Sequence, residues 1–201
     1  MADPVLLGQG HARGATERLP MPALNSLDEA QRAAAQALID GPRKGVFGPF
    51  VPLLRSPVRL ERMAKVGEYL RFDSVLEPRL RELATCVAAR HVSNQFEWSM
   101  HAPLALKAGV APEAIEALRQ GATPRTLAPD EQDTVGFVHE LLASHGVSDL
   151  TYQAALARWG EQGIVELTAL VGYFVTVSWL MNVARTPAQA GTGAGIDAFP
   201  Q

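Results

Sequence analysis

The sequence predicts an all-α protein, a single-domain helical bundle of about seven or eight helices. Several segments repeat apolar residues every three to four positions, as a helix with one buried face does. These segments begin at capping residues or prolines and end near glycines. No segment of four to eight residues alternates apolar and polar side chains between turn signals, so strands are not indicated.

The first part of the chain is expected to hold two helices separated by a packed loop. Ser26 and Glu29 match a capping box, which predicts a helix that runs to about Asp40. The segment 41–54, GPRKGVFGPFVPLL, has three glycines and three prolines, too many for regular structure, and its apolar side chains predict that it packs against the domain. Pro57 then starts the second helix.

The next two helices carry the most informative residues. Pro78 opens a helix through about His91, and another runs from near Asn94 to Ala108 before Gly109 caps it. The remaining helices are predicted, in chain order, as a short one from Pro112, an amphipathic one over DEQDTVGFVHELLASH, one over DLTYQAALARWG, and a long apolar one from about Glu161 to Ala184.

The length of 201 residues suits one domain, which we place at residues 25–186. Residues 1–24 are predicted to form a flexible arm and residues 187–201 a flexible tail, because both are rich in small and polar residues without a helical period. The apolar stretch 164–181 approaches the length of a membrane span but contains Glu166 and several hydroxyl groups. A buried central helix, or one that faces another subunit, is the better interpretation.

Composition narrows the classes of partner. A net charge of −3 offers no basic surface for nucleic acid or for an anionic membrane, so neither partner is expected. Cys86 is the only cysteine, which excludes an intrachain disulfide and gives no sign of an oxidising compartment. The N-terminus lacks the pattern of a signal peptide. We therefore expect a cytoplasmic protein.

A carboxylate and an imidazole share one face of the helix that follows Asn94. Residues three and four apart project together, so Asn94, Glu97 and His101 should lie on one stripe with Trp98 beside them. Glu82 lies on the preceding helix, and the short connection between the two helices makes them antiparallel neighbours. Two carboxylates and one imidazole are therefore predicted to converge among apolar side chains.

Proton transfer is the chemistry that this group suits. One member kept protonated can act as the acid while an ionised neighbour orients it or serves as the base, so Glu82, Glu97 and His101 are the predicted catalytic residues. A hydrogen-bonded core pair is the structural alternative. A metal site is weaker, because the three ligands have no fourth candidate nearby, and we predict no metal.

Four further side chains join Asn94 as candidates for contact with a substrate: Trp98, Arg79, Arg90 and Cys86. Arg79 and Arg90 flank Glu82 on its helix, where a guanidinium could bind a substrate carboxylate or form a surface ion pair. Cys86 lies one turn after Glu82 and could face the same cavity. A lone cysteine is more often a small buried apolar side chain, with single-thiol chemistry as the alternative.

These motifs resemble the carboxymuconolactone decarboxylase and alkylhydroperoxidase D (AhpD-like) superfamily. The resemblance covers most of the chain, from FGPF at 47–50 through GEYLRF, PRLREL, FEWSMHAPLALKAG and VSDLTYQAAL to LVGYFVTVSWLMNVAR. It implies an all-helical fold that assembles as a homotrimer or hexamer, with a dimer also considered. Peroxidase members carry a glutamate, a CxxC pair and a histidine at the spacing of Glu82 and His101, but here Asn94 and Glu97 occupy the two cysteine positions.

Without two thiols, a dithiol peroxidase cycle is not expected. The EWxxH pattern resembles the decarboxylase-type branch, which implies a lyase that needs no cofactor and acts on a small carboxylated unsaturated or lactone substrate in aromatic-compound catabolism. His101 and Glu97 would then supply and orient the acid, and Glu82 would tune it. The alternative is a non-catalytic helical oligomer that binds a small ligand and uses the same residues as a buried polar network.

Overall fold

A computed structural model of the chain describes residues 16–188 and 195–196. These residues include eight α-helices and no strand. This confirms the predicted all-α class and the number of helices. The helices are α1 (Glu29–Asp40), α2 (Phe50–Leu53), α3 (Pro57–Glu68), α4 (Pro78–His91), α5 (Gln95–Lys107), α6 (Pro112–Arg119), α7 (Pro129–Ser144) and α8 (Asp149–Ala184).

Prolines in the first turn open four of these helices, α3, α4, α6 and α7, as the missing N–H of proline costs nothing there. The cap predicted for α1 is wrong. Ser26 ends a short 3-10 turn, and Asp28 is the N-cap instead, because its carboxylate accepts from the Gln31 N–H at 2.8 Å. The Gln31 side chain accepts from the Asp28 N–H in return, which completes a capping box two residues later than predicted.

α4 is the central helix of the domain. It packs against α5, α7 and α8, and Leu83, Ala84, Cys86 and Ala88 on it are fully buried. Small side chains along α4 allow neighbouring helices to approach closely, so a single apolar core forms around it. The connection between α4 and α5 turns at Ser93, whose φ of 50° is left-handed, and brings the two helices back side by side.

A second apolar cluster joins α1, α2 and α3 on one side of this core. The loop from Gly41 to Pro49 leads into α2, so the segment 41–54 is partly helical rather than irregular throughout. After α3 the chain makes one π-helical turn at Tyr69–Asp73. Turns of this kind are uncommon and often occur at functional sites.

The two helices predicted after residue 148 meet end to end within α8, because the backbone at Gly160 is not helical (φ 66°, ψ −178°) and makes a kink there. By length and apolarity alone, α8 is the one described helix that could cross a membrane. Its most apolar window is 56% buried inside the domain, as a core helix is, so this is weak evidence for a span.

The proposed division into arm, domain and tail stays a prediction. Residues 1–15, 189–194 and 197–201 lie outside the described part of the chain. Arg18 donates its backbone N–H to Ala184 O at 2.7 Å, next to the end of α8. Ile196 is buried in the main core, and its backbone exchanges two hydrogen bonds with the side chain of Gln95.

Candidate active site

His101 lies between two carboxylates. Its Nδ1 is 2.6 Å from Glu82 Oε2 on α4, and its Nε2 is 3.3 Å from Glu97 Oε2, one turn earlier on α5. The structure therefore brings together the three residues that the sequence predicted to converge.

Asn94 anchors the start of α5. Its Oδ1 accepts from the Glu97 N–H at 2.8 Å, which caps the helix. Its Nδ2 donates to Ser178 O at 3.2 Å and to Asn182 Oδ1 at 2.9 Å, both on α8. With every polar atom of its side chain engaged, Asn94 positions α5 against α8 and thereby sets where Glu97 and His101 lie.

The site is almost dry. His101 is 3% and Glu97 4% exposed, and the ring of Phe174 contacts the imidazole edge-on at 4.8 Å between centroids. Burial by itself lowers the pKa of His101, but the hydrogen bonds and charges of Glu82 and Glu97 more than offset this and raise the pKa above its usual value. The imidazolium is thereby favoured, with Nδ1 donating to Glu82 and Nε2 within ion-pair distance of Glu97.

Glu97 and His101 line a small cavity, whose other walls come from the loop after α1, from the π-helical turn, and from α8. The volume of this cavity is about 30 Å³. That is enough for a water molecule or two and too little for an organic substrate. The side chains that line it are Arg43, Phe47, Pro49, Phe50, Arg71, Phe96, Glu97, Met100, His101, Tyr173 and Phe174.

Three polar residues of this cavity were missed by the sequence analysis: Arg43, Arg71 and Tyr173. Arg43 and Arg71 lie 58 and 30 residues before His101 in the chain, so no helical spacing connects them to it. Tyr173 belongs to the apolar stretch that was interpreted as core. The segment GEYLRF, residues 67–72, contains Arg71, but in the sequence it indicates only the family resemblance and not a role for the arginine.

The predicted substrate-binding arginines lie elsewhere. Arg79 forms ion pairs with Asp130 and with Glu131, the latter at 2.7 Å between Nη1 and Oε1, and so connects α4 to the start of α7. Arg90 is 4% exposed and lines a different cavity, beside His91 and His139. Neither is among the residues that line the cavity next to His101.

Cys86 and Trp98 are also core residues. Cys86 is fully buried, and burial, with a smaller contribution from the charge of Glu82, raises the pKa of its thiol well above the usual value. Such a thiol is neutral and unreactive. Trp98 is 2% exposed and packs in the main apolar cluster. Neither side chain is among those that line the cavity.

A metal ion finds no ready site in the described residues. Across 16–188 and 195–196, no group of three or more His, Cys, Asp or Glu side chains could hold one. The imidazole nitrogens of His101 are both within hydrogen-bonding distance of carboxylates, which fits a proton-transfer arrangement better than coordination.

The three residues of the site lie in the part of the chain that matches a family model. The Carboxymuconolactone decarboxylase family model matches residues 57–140, from the start of α3 into α7, and so spans Glu82, Glu97 and His101. No curated protein has a sequence that matches this chain.

Solved structures share the fold at low sequence identity. The alkylhydroperoxidase AhpD core of an uncharacterised peroxidase-related protein from Ralstonia eutropha JMP134 superposes with a TM-score of 0.70 at 15% identity, covering 87% of this chain and 93% of that one. An uncharacterised peroxidase-related protein from Silicibacter sp. TM1040 gives 0.69 at 13% identity, with coverage of 86% and 90%. The debrominase Bmp8, solved with 2,3,4-tribromopyrrole, gives 0.66 at 8%, with coverage of 89% and 95%.

Proposed function

Since the chain belongs to the carboxymuconolactone decarboxylase and AhpD-like superfamily, we propose that it is a cofactor-independent lyase that acts on a small carboxylated unsaturated or lactone substrate by proton transfer. The observation that carries the proposal is the position of His101. It is held between Glu82 and Glu97, is favoured as an imidazolium, and lines a small cavity. In a decarboxylation, a buried acid of this kind can protonate the substrate carbon after carbon dioxide has left.

The reaction balances with a proton as the only added species. The bond between the carboxylate carbon and the substrate breaks, carbon dioxide leaves, and the electron pair moves through the conjugated system onto the lactone carbonyl oxygen. The enolate then collapses and takes a proton on carbon. His101 supplies that proton from Nε2, either directly or through the Glu97 carboxylate that faces the cavity beside it, and solvent restores it.

Glu82 plays a different part. It contacts Nδ1, on the opposite side of the ring from Glu97, and is not among the cavity-lining residues. It therefore acts through His101, by fixing the ring orientation and by favouring its protonated form. This makes Glu82 a positioning residue, whereas Glu97 and His101 are the residues that would touch the substrate.

Substrate entry requires the cavity to open. Its volume of about 30 Å³ is smaller than any lactone acid, and Phe47, Pro49 and Phe50 close one side of it. Gly48 has a φ of 56°, and a Cβ there would lie 2.4 Å from Phe96 Cε1, so the loop passes close over α5. Displacement of this loop is the route that we propose for entry.

The experiment is a carbon dioxide release assay over a panel of carboxylated five-membered lactones and unsaturated acids. We expect turnover of at least one substrate, reduced about a hundredfold or more in both Glu97→Gln and His101→Asn. The matched controls are Glu113→Gln, in the first turn of α6 as Glu97 is in α5, and His145→Asn, at an exposed helix end. Circular dichroism checks the fold. Wild-type rates in both site variants would overturn the proposal.

Self-association and location remain part of the proposal. An exposed face of α8 from Val165 to Val183 carries apolar or uncharged side chains, among them Trp179 at 60% exposure, which supports contact with another copy of the chain as a homotrimer, hexamer or dimer. A net charge of −3 supports no partner among nucleic acids or anionic membranes. We propose a cytoplasmic protein, because the single cysteine, Cys86, gives no sign of an oxidising compartment.

The second candidate is a small-ligand-binding helical oligomer without catalysis. The small volume of the cavity and the pairing of both carboxylates with His101 favour it, because a structural polar network has the same geometry. It predicts ligand-dependent thermal stabilisation with no turnover across the panel. A dithiol peroxidase is not proposed, because the sequence has only one cysteine.

A further inference from the structure

Two arginines line the cavity beside Glu97 and His101. Arg43 comes from the loop after α1, and Arg71 from the π-helical turn that follows α3. Arg43 is half-buried, with its Cζ 4.4 Å from the centre of the Phe50 ring and its Nη2 3.4 Å from Ala64 O. Both guanidiniums therefore lie at the cavity through packing against apolar neighbours rather than through ion pairs.

Neither arginine has a carboxylate partner among residues 16–188 and 195–196. Other arginines of the domain do: Arg79 pairs with Glu131, and Arg158 with Asp133, at 2.7 Å and 2.5 Å. The Arg71 Nε is buried and makes no hydrogen bond within this part of the chain. The Arg71 Nε–H is thus a buried donor without an acceptor among these residues, which costs free energy until an acceptor arrives.

Hydrogen bonds to Glu166 hold the π-helical turn that carries Arg71 in place. Glu166 on α8 accepts from Tyr69 Oη and Ser74 Oγ, each at 2.6 Å, and from the Val75 N–H at 2.8 Å. These bonds fasten both ends of the π-helical turn that carries Arg71. The extra residue of a π turn rotates the side chains that follow it relative to a regular helix.

Arg43 is held next to a tyrosine. Gly67 leaves the space between them: a Cβ there would lie 2.2 Å from Tyr173 Oη and 2.9 Å from Arg43 Nη2. The Tyr173 hydroxyl and the Arg43 guanidinium consequently converge over a glycine on α3. The side chains of two arginines, a tyrosine, a glutamate and a histidine therefore line the same small cavity.

We propose that Arg43 and Arg71 form an oxyanion subsite, which binds the lactone carbonyl oxygen on which negative charge accumulates as carbon dioxide leaves. The inference deepens the proposed function and rests on it for the reaction. The leaving carboxylate is not the group bound here, because a guanidinium that stabilises the ground-state carboxylate would oppose its loss. Charge moves toward the arginines during the reaction, which is the condition for electrostatic catalysis.

Charge considerations support this arrangement. Burial, together with the nearby charge of Arg71, lowers the pKa of Arg43, although the guanidinium keeps its proton at neutral pH. An anionic oxygen between the two arginines would relieve their repulsion. His101 and Glu97 line the same cavity, so the proposed proton donor and the proposed electron sink share one site.

The first test is binding, independent of turnover. The probe is tetronate, the anion of a five-membered enol lactone, and its control is the unsubstituted butenolide, which has the same ring without the charge. By calorimetry, wild-type protein should bind tetronate and not the butenolide at the same concentration. Arg43→Gln and Arg71→Gln should each weaken tetronate binding about tenfold or more. Arg62→Gln, an exposed arginine of α3, is the matched control.

The second test is kinetic and separates this inference from the proposed function. On any substrate that is turned over, Arg71→Gln should lower kcat about a hundredfold with a much smaller change in KM. If no substrate is turned over but tetronate binds as expected, the lyase proposal fails and the anion subsite stands. If Arg43→Gln and Arg71→Gln keep wild-type kcat, or bind tetronate and butenolide alike, the subsite is refuted.

Discussion

Glu82 Oε2 and His101 Nδ1 lie 2.6 Å apart, across the packed faces of α4 and α5, at positions separated by nineteen residues in the chain. The contact is the shorter of the two that the imidazole makes with carboxylates, and Glu82 is not among the residues that line the cavity. It orients the ring and helps to raise the pKa of His101.

The first prediction concerns the pH dependence set by Glu82. The raised pKa of His101 keeps the acid charged below that pKa, so activity should be retained at low and neutral pH and decline as pH rises through it. The hydrogen bond from His101 to Glu82 is the largest of the effects that raise the His101 pKa against burial. Glu82→Gln should therefore lower the His101 pKa and move the decline in activity to lower pH.

Titration of the His101 imidazole by NMR measures this directly, with Glu113→Gln as a control for loss of one carboxylate. The same shift should appear as a change in stability: a raised native pKa stabilises the fold below the unfolded value near 6.5, and that stabilisation is lost as pH rises through the native value. An unchanged His101 pKa in Glu82→Gln would contradict the assigned role.

The second prediction concerns the Glu166 clamp on the π-helical turn. Burial raises the pKa of Glu166, but hydrogen bonds from Ser74, Tyr69, Gln162 and the Val75 N–H outweigh it and lower the pKa from 4.5 to about 2. The stabilisation is complete above pH 4.5 and is lost as pH falls toward 2.

Glu166→Gln should therefore lower the free energy of unfolding by about 1–3 kcal/mol at neutral pH, and by less near pH 3. Urea unfolding at the two pH values measures this. Glu161→Gln, an exposed position on the same helix, should leave stability within about 0.5 kcal/mol. A loss that is the same at both pH values would mean that the ionised form is not what matters.

The third prediction is that Cys86 is inert in the folded protein. Its thiol is fully buried and, with its raised pKa, is not ionised at neutral pH. Iodoacetamide should modify native protein at a rate at least about a hundredfold below that of the urea-unfolded chain. Because this is the only cysteine, mass spectrometry reads the site without ambiguity. Rapid native modification would revive single-thiol chemistry.

The fourth prediction concerns the exposed face of α8. Trp179 and Val183 are 60% and 61% exposed and lie one turn apart. A carboxylate in such a face would be desolvated without a partner on assembly, so Trp179→Glu and Val183→Glu should shift the protein toward smaller species. Sedimentation velocity measures this, with Gln153→Glu on the other half of α8 as the control. A wild-type protein that is monomeric throughout would remove the proposal of self-association.

Helix-start signals and helical spacing were enough to predict most of the helices and the pairing of Glu97 with His101. Proline starts predicted α3, α4 and α6 because proline fits only the first turn, whereas α7 begins at Pro129, one residue before its predicted start. The i, i+4 spacing placed Glu97 beside His101 because that relation is intrinsic to a helix. The cap of α1 was misplaced because Ser26 and Asp28 both suit an N-cap, and only the competition between them decides.

What the sequence determined alone is therefore the all-helical class, the pairing of α4 with α5, and the carboxylate–imidazole group of Glu82, Glu97 and His101, since all of these follow from short-range geometry along the chain. Only the tertiary structure decided that Arg43 and Arg71, rather than Arg79 and Arg90, line the cavity. The loop after α1, the π-helical turn and α8 come together through packing between segments that are distant in the chain. No spacing in the sequence therefore shows which arginine lies next to His101.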